Sequence, residues 1–320
     1  MIDESVLQRT LGAALRTGGD FAEVFIEDRR ISSAQLDDRK LEEFVSGRER
    51  GAGIRVVCGE STGYAHTADL SETGLSEAAA AAAAAARGGE GETSVVALER
   101  RTARAPHEVR VFPESVDKAR KAELLVRADE AARSEGGAVT QVSAAYADSR
   151  RRITVANSDG LLVSDDQVRT RLMVQCVAVG DSGLQTGFEA PGRTVGFELF
   201  DDVDPEDVAR TAARRAITML DARPAPSGKM TVVLRRGAGG VLFHEACGHG
   251  LEADLVGRDA SVFKGSVGEQ VASPLVTLVD DGTFATGWGA YAVDDEGRPA
   301  QRNILIEDGV LTDYMWDYLR

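Results

Sequence analysis

The chain has 320 residues, more than one ordinary domain needs, with 43% hydrophobic and 28% charged residues. That balance is the one expected of a folded globular protein, and the length suits two or three domains. A formal net charge of -15 argues against sequence-independent binding to phosphate backbones, and no segment has the apolar length of a membrane span. The expected location is the cytoplasm, because the first residues, "MIDESVLQRTLGAALRTGG", carry acids where a leader peptide needs bases.

An opening helix is expected over residues 3–17, with Val6, Leu7, Leu11 and Leu15 at helical spacing, and Gly18 and Gly19 ending it. Four short strand-like segments follow: "FAEVFIED", "KLEEFVSG", "GAGIRVVCG" and "STGYAHTA". Glycines and charged turns between them suggest an antiparallel meander. From about Ser71 a second helix begins, its interior an alanine run from Ala78 to Ala86. Alanine favours the helix but buries little, so this helix is expected to lie close against a sheet.

Residues 87–113 read as a linker, rich in glycine and charge, with His107 as a solvated loop residue. His66 falls at a strand end. A long amphipathic helix is expected from Glu114 to about Ser134, stopped by Gly136 and Gly137. Then come "AVTQVSAAYADS", "RRITVANSDG", "LLVSDDQVRTRLMVQCVAVG" and "TVGFELF", all of strand character, with Asp159-Gly160 as a hairpin signal. Pro205 opens the helix "PEDVARTAARRAITML", acidic in its first turn as the helix dipole favours. "DARPAPSG" is a second linker. The first two regions thus share one plan: helix, antiparallel strands, helix.

The third region opens with an expected strand, "KMTVVLRR". A "GAGG" turn leads to an expected helix, "VLFHEACGHGLEADLV". The strand "LVTLVDDG" and a hairpin turning at Asp308-Gly309 complete it. The fold class is therefore α+β. The expected boundaries are residues 1–88, a linker at 89–113, a middle domain at 114–222, and an incomplete metal-site domain at 223–320.

The chemistry concentrates in "HEACGH", residues 244–249. In the H-E-x-x-H helix of zinc peptidases, two imidazoles sit one turn apart on one face. Here His244 and His249 are five apart, about 140° around a regular α-helix. Convergence needs a π-type turn or an interrupted helix, and Gly248 and Gly250 ease such a distortion. The spacing permits a shared metal without requiring one; the plain alternative is a helix with two independent histidines. Two of the chain's four histidines fall within these six residues, and Glu245 sits where a general base for water belongs. Cys58 and Cys176 read as small strand hydrophobes and Cys247 as a packing residue. Glu252 and Asp254 could serve as oxygen ligands, but contacts behind the ligands or with the N-terminal domain are the favoured reading.

"GGVLFHEACGHGLEAD" resembles the H-E-x-x-x-H metal segment of the TldD/PmbA (TldE) peptidases. "DFAEVFIEDRR", "GAGIRVV", "ANSDG" and "NILIEDGVLTDYMWDYLR" fit the same layout, so the resemblance covers the whole chain. It points to the TldD-like catalytic subunit, since the PmbA/TldE partner lacks the motif. The resemblance implies a zinc metallopeptidase, cytoplasmic and heterodimeric with a PmbA/TldE-like subunit, acting on unfolded or extended peptides. By residue match, His244 and His249 would bind Zn2+ and Glu245 would be the base. The family's third ligand is a downstream cysteine, expected beyond residue 320, so the chain reads as C-terminally truncated and as weakly active alone. A non-catalytic partner subunit and a different metal-dependent hydrolase are the competing readings.

Overall fold

The computed structural model describes residues 2–86 and 94–319; the start of the expected linker, at residues 87–93, lies outside them. Asp3 caps the first helix, α1 (Glu4–Leu15), by accepting the Ser5 N–H at 2.8 Å. Leu7, Leu11 and Leu15 form its buried stripe.

The expected strands of the meander merge into longer ones. β1 (Phe21–Asp37) and β2 (Lys40–Cys58) form one continuous hairpin, closed by Asp38 and Arg39, both at positive φ. β3 (Ser61–Thr67) pairs with the end of β2. Helix α2 (Glu72–Ala86) then returns over β3 and packs on α1. After the two-residue β4 (Glu99–Arg100), the same plan recurs. α3 (Lys118–Ser134) precedes β5 (Val139–Asn157), β6 (Leu161–Gly180) and β7 (Gly183–Glu189), and α5 (Pro205–Leu220) closes the unit. The expected strand "TVGFELF" becomes instead a bridge from β8 (Gly192–Arg193) into the single-turn helix α4 (Leu199–Asp202). There Phe197 and Leu199 are buried by packing rather than by strand pairing.

Among the described residues, eight strands form one sheet, in the order β3-β2-β1-β5-β6-β4, with β7 and β8 also paired to β6. The antiparallel β1–β5 pairing joins the two halves. One core holds Leu7, Leu11, Ile54, Leu75 and the alanines of α2; the other holds Leu125, Tyr146, Leu172 and the alanines of α5. The repeat extends to atomic contacts. A Cβ on Gly63 of β3 would lie 2.0 Å from the Ala82 carbonyl, and one on Gly187 of β7 would lie 2.0 Å from the Ala212 carbonyl. Each third strand thus meets its returning helix with backbone against backbone, which is why both helices are alanine-rich on that face.

The chain divides into two compact units. One contains residues up to Ala222 together with Phe284–Pro299, and the other contains Arg223–Thr283 and Ala300–Arg320. Residues 284–299, expected within the 223–320 region, pack on the first unit's sheet: Val293 joins Ile153, Val155 and Val163, and Asp165 accepts the Ala292 N–H at 2.9 Å.

In the second unit the expected strand "KMTVVLRR" forms no strand and pairs with none among the described residues. A strand needs a neighbour's edge, and Val232 and Val233 stand in solvent. The unit's own core is small: Leu251, Ala253, Leu305, Ile306, Leu311 and Tyr314. Around it lie β9 (Leu278–Asp281), β10 (Arg302–Glu307) and β11 (Val310–Leu311), with the β10–β11 turn at Asp308 and Gly309, both at positive φ.

Candidate metal centre

The expected continuous helix over residues 241–256 is broken into four pieces. α6 (Ala238–Phe243) runs into a π-helical turn at His244–Gly248, then a 3-10 turn at His249–Leu251. Glu252 is extended, and α7 (Ala253–Gly257) follows. The His249 N–H donates to the His244 carbonyl, a five-residue step. That step adds one residue to the turn and brings the two histidines to the same side. Gly248 sits inside the turn, where an added Cβ would touch only the His244 ring and neighbouring atoms at 3.8 Å or more. Its value is flexibility, not space.

The turn is anchored just downstream. Leu251 is fully buried, and its carbonyl accepts the Met315 N–H at 2.8 Å while the Ala253 N–H donates to the Met315 carbonyl at 2.9 Å. The histidine-bearing segment is thereby held against the chain that follows β11.

The His244 and His249 rings lie edge to face with centroids 4.4 Å apart. One donor atom from each of His244, Glu245 and His249 falls within 4.8 Å of the others. His249 Nδ1 is 2.8 Å from Glu252 Oε1, and its Nε2 is 4.0 Å from Glu245 Oε2. An imidazole whose one nitrogen is bonded to a carboxylate has its tautomer and ring plane set, with the other nitrogen free to ligate. Imidazole and carboxylate donors are accepted by zinc, iron, nickel and copper alike. The donor set and its convergence therefore fit a divalent transition metal.

Cys247 donates its S–H to the Phe243 carbonyl at 3.2 Å, and burial pushes its thiol pKa up. It keeps its proton and does not join the donor group. Cys176 is buried in β6, its thiol pushed up to about 11 by burial. Among the described residues, the three-donor group contains no cysteine. Asp254 pairs loosely with Arg258 at 3.7 Å instead. His107 lies 3.5 Å from Glu198, and His66 stacks near Tyr64; neither is in the second unit.

Beside His244 a cavity of about 480 Å³ is lined by Phe243, Gly248, the β9 residues Leu278 and Val279, Leu305 and Met315. β9 is an outer strand of its three-stranded sheet, so among the described residues one of its edges is unpaired. Sequence reasoning found the histidines but had no signal for this wall, because the packing that builds it is not periodic.

A paired-imidazole turn with an adjacent acid thus stands on an α+β scaffold. Comparison with known proteins gives the family. Residues 22–86 match the PmbA/TldA metallopeptidase domain 1, residues 112–220 its central domain and residues 227–320 its C-terminal domain. The chain belongs to the PmbA/TldD family. It is 36% identical over 304 residues to the metalloprotease TldD homolog of Haemophilus influenzae, covering 93% of this chain and 63% of that protein. It is also 36% identical to a metalloprotease of Methanothermobacter thermautotrophicus, covering 92% of this chain and 63% of that protein. The chain thus spans about 63% of the length of these relatives. Its fold is that of TldE from Thermococcus kodakarensis, with a TM-score of 0.75, 20% identity, and coverage of 99% of this chain and 70% of that one.

Proposed function

We propose that this chain carries the catalytic motif of a zinc-dependent peptidase of the TldD type. His244 and His249 hold the ion, and Glu245 is the general base. The observation that supports this most is the π turn, which places both rings and the Glu245 carboxylate within 4.8 Å. A bound zinc ion would supply Lewis-acid polarisation and make water acidic enough to lose a proton near neutral pH. Glu245 accepts that proton at its carboxylate and passes it to the departing amine. Glu252 holds the His249 ring through Nδ1, leaving Nε2 as the nitrogen that would ligate the ion.

The substrate in this reading is an unfolded or extended peptide. An unpaired strand edge such as that of β9, beside the cavity at His244, takes a peptide through main-chain hydrogen bonds and so favours extended over folded substrates. The partner is a PmbA/TldE-like subunit, supported by the TldD relatives and the likeness to TldE. The location is cytoplasmic; among the described residues no helix is long and apolar enough to cross a membrane. One observation favours a second reading, a non-catalytic partner subunit: the Glu245 and His249 side chains are 65% and 50% exposed, and among the described residues the donor group holds only His244, Glu245 and His249.

Zinc content and cleavage of an unstructured peptide, measured with and without Glu245→Ala, separate the two. The peptidase reading expects zinc retained and cleavage lost in the variant. A chain that binds no zinc as wild type, even with its TldE-like partner present, belongs to the second reading.

A further inference from the structure

The first unit holds a cationic cleft that the peptidase reading does not use. On the helix-bearing face of the sheet, Ala22, Val24 and Ile26 of β1 pack under α1 and α2, and Ala34 and Leu36 pack under α3 and α5. Between these two cores, on the same face by strand alternation, β1 presents Asp28, Arg30 and Ser32. The register sets Arg30 directly opposite Arg48 of β2 and directly opposite Arg150 of β5. Three guanidinium groups therefore stand in one row across three neighbouring strands. Like charges directly opposite each other destabilise a sheet.

Acids relieve only part of this. Arg48 is held by Asp28, and Arg150 by Glu114 and Asp166. Lys121, nearly fully buried, pairs with Asp148 at 2.7 Å. Arg30 and Lys118 have no acidic partner within ion-pair distance among the described residues. All five cations line one cavity of about 450 Å³, together with only two carboxylates, Glu114 and Asp148. Counting Asp28, Asp166 and the Arg152 that shares Asp166, six cations meet four carboxylates, and the excess of two positive charges, in a chain of net charge -15, is a focused field. One wall is apolar, formed by Phe44, Pro113 and Val116.

We propose that this cleft binds a small molecule carrying a phosphate or pyrophosphate group, with Arg30 as its principal ligand. Guanidinium groups grip such oxygens through paired hydrogen bonds, and ammonium groups add point charge. The local excess matches a multiply charged anion better than a single carboxylate. The cavity has the volume of a small-ligand site, and its apolar wall suits an organic group attached to the phosphate. A long polyanion is disfavoured, because beyond the cleft it meets an acidic protein. The proposal is independent of the metal centre.

The test uses the whole chain at constant ionic strength, with inorganic phosphate, pyrophosphate, a nucleoside diphosphate and citrate as probes. Calorimetry should show pyrophosphate or the nucleoside diphosphate binding more tightly than citrate. Arg30→Gln should weaken that binding by about tenfold or more. Without any anion, the same variant should melt at a higher temperature than wild type, since it removes repulsion. Lys118→Gln should weaken binding in the same direction. Equal affinity in wild type and Arg30→Gln, equal binding of citrate, tighter binding of a single-stranded oligonucleotide, or a lowered melting temperature for Arg30→Gln without anion would each overturn the proposal.

Discussion

His249 Nδ1 lies 2.8 Å from Glu252 Oε1, and this contact fixes which ring nitrogen faces Glu245. The pairing depends on the break in the helix. Glu252 leaves the helical path with φ -70° and ψ 125°, which lets its side chain fold back toward a residue three positions earlier. A continuous helix would still place the two side chains as neighbours, but without the anchored geometry set by Leu251 and Met315.

Glu252→Ala should therefore weaken zinc binding by about tenfold to a hundredfold while leaving the fold intact. Competition with a chelating dye measures the affinity, and far-ultraviolet circular dichroism checks the fold. Unchanged affinity would show that the carboxylate does not orient the ring.

The glycines that bring strand and helix backbones together make a second prediction. An added methyl at Gly187 meets the Ala212 carbonyl at 2.0 Å and the Ala216 nitrogen at 2.4 Å, both backbone atoms that cannot rotate aside. Gly187→Ala should lower stability by about 2–3 kcal/mol, as overpacked cores do. Gly63→Ala, against Ala82 and Ala86, should behave alike. Gly12→Ala is the counterpart: it sits within α1 with nothing within 4 Å of the new Cβ. That substitution should raise stability by up to about 1 kcal/mol through helix propensity. Urea midpoints for the three variants should move in these opposite directions; a common direction would defeat the argument.

What the sequence disclosed follows from which forces are local. The Asp308-Gly309 turn, the α5 helix and the close packing of the alanine helix depend on nearby residues, and each appears in the structure. The five-residue histidine spacing left a π-type turn, an interrupted helix and two independent histidines all open; the structure has the π turn. β2 reads as two strands because Gly47 and Gly51 look like turn residues, and β1 reads short because its second half, RRISSAQLD, has little apolar alternation. Pairing across 17 positions with β2 holds β1 extended regardless. The row of Arg30, Arg48 and Arg150 was invisible: three arginines far apart in sequence read as ordinary surface charge until the register set them side by side. Residues 284–299 returned to a distant sheet through Val293 and the acceptor oxygen of Asp165, contacts with no local signature.

The last prediction concerns pH and the opposite face of that sheet. Glu23 of β1 is 7% exposed and contacts Arg55, which also binds Glu296 at 2.6 Å. Its second oxygen, Oε2, has no hydrogen-bond partner among the described residues. Burial is the largest influence and outweighs the attraction of Arg55, with Glu296 and Asp294 adding repulsion, so the carboxyl is pushed up to about 7. The folded state therefore holds a proton that the unfolded chain, titrating near 4.5, has already lost. Stability from this group is full below the unfolded value, declines as pH rises from there to about 7, and is flat above. The loss amounts to about 3 kcal/mol at most. Glu23→Gln carries no titrating proton and leaves Arg55 with Glu296, so the stability gap between variant and wild type should widen in the variant's favour from pH 5 to pH 8. Urea unfolding across that range measures the gap. Parallel curves would show that Glu23 is ionised in the folded protein throughout, with the Arg55 pair dominating over burial.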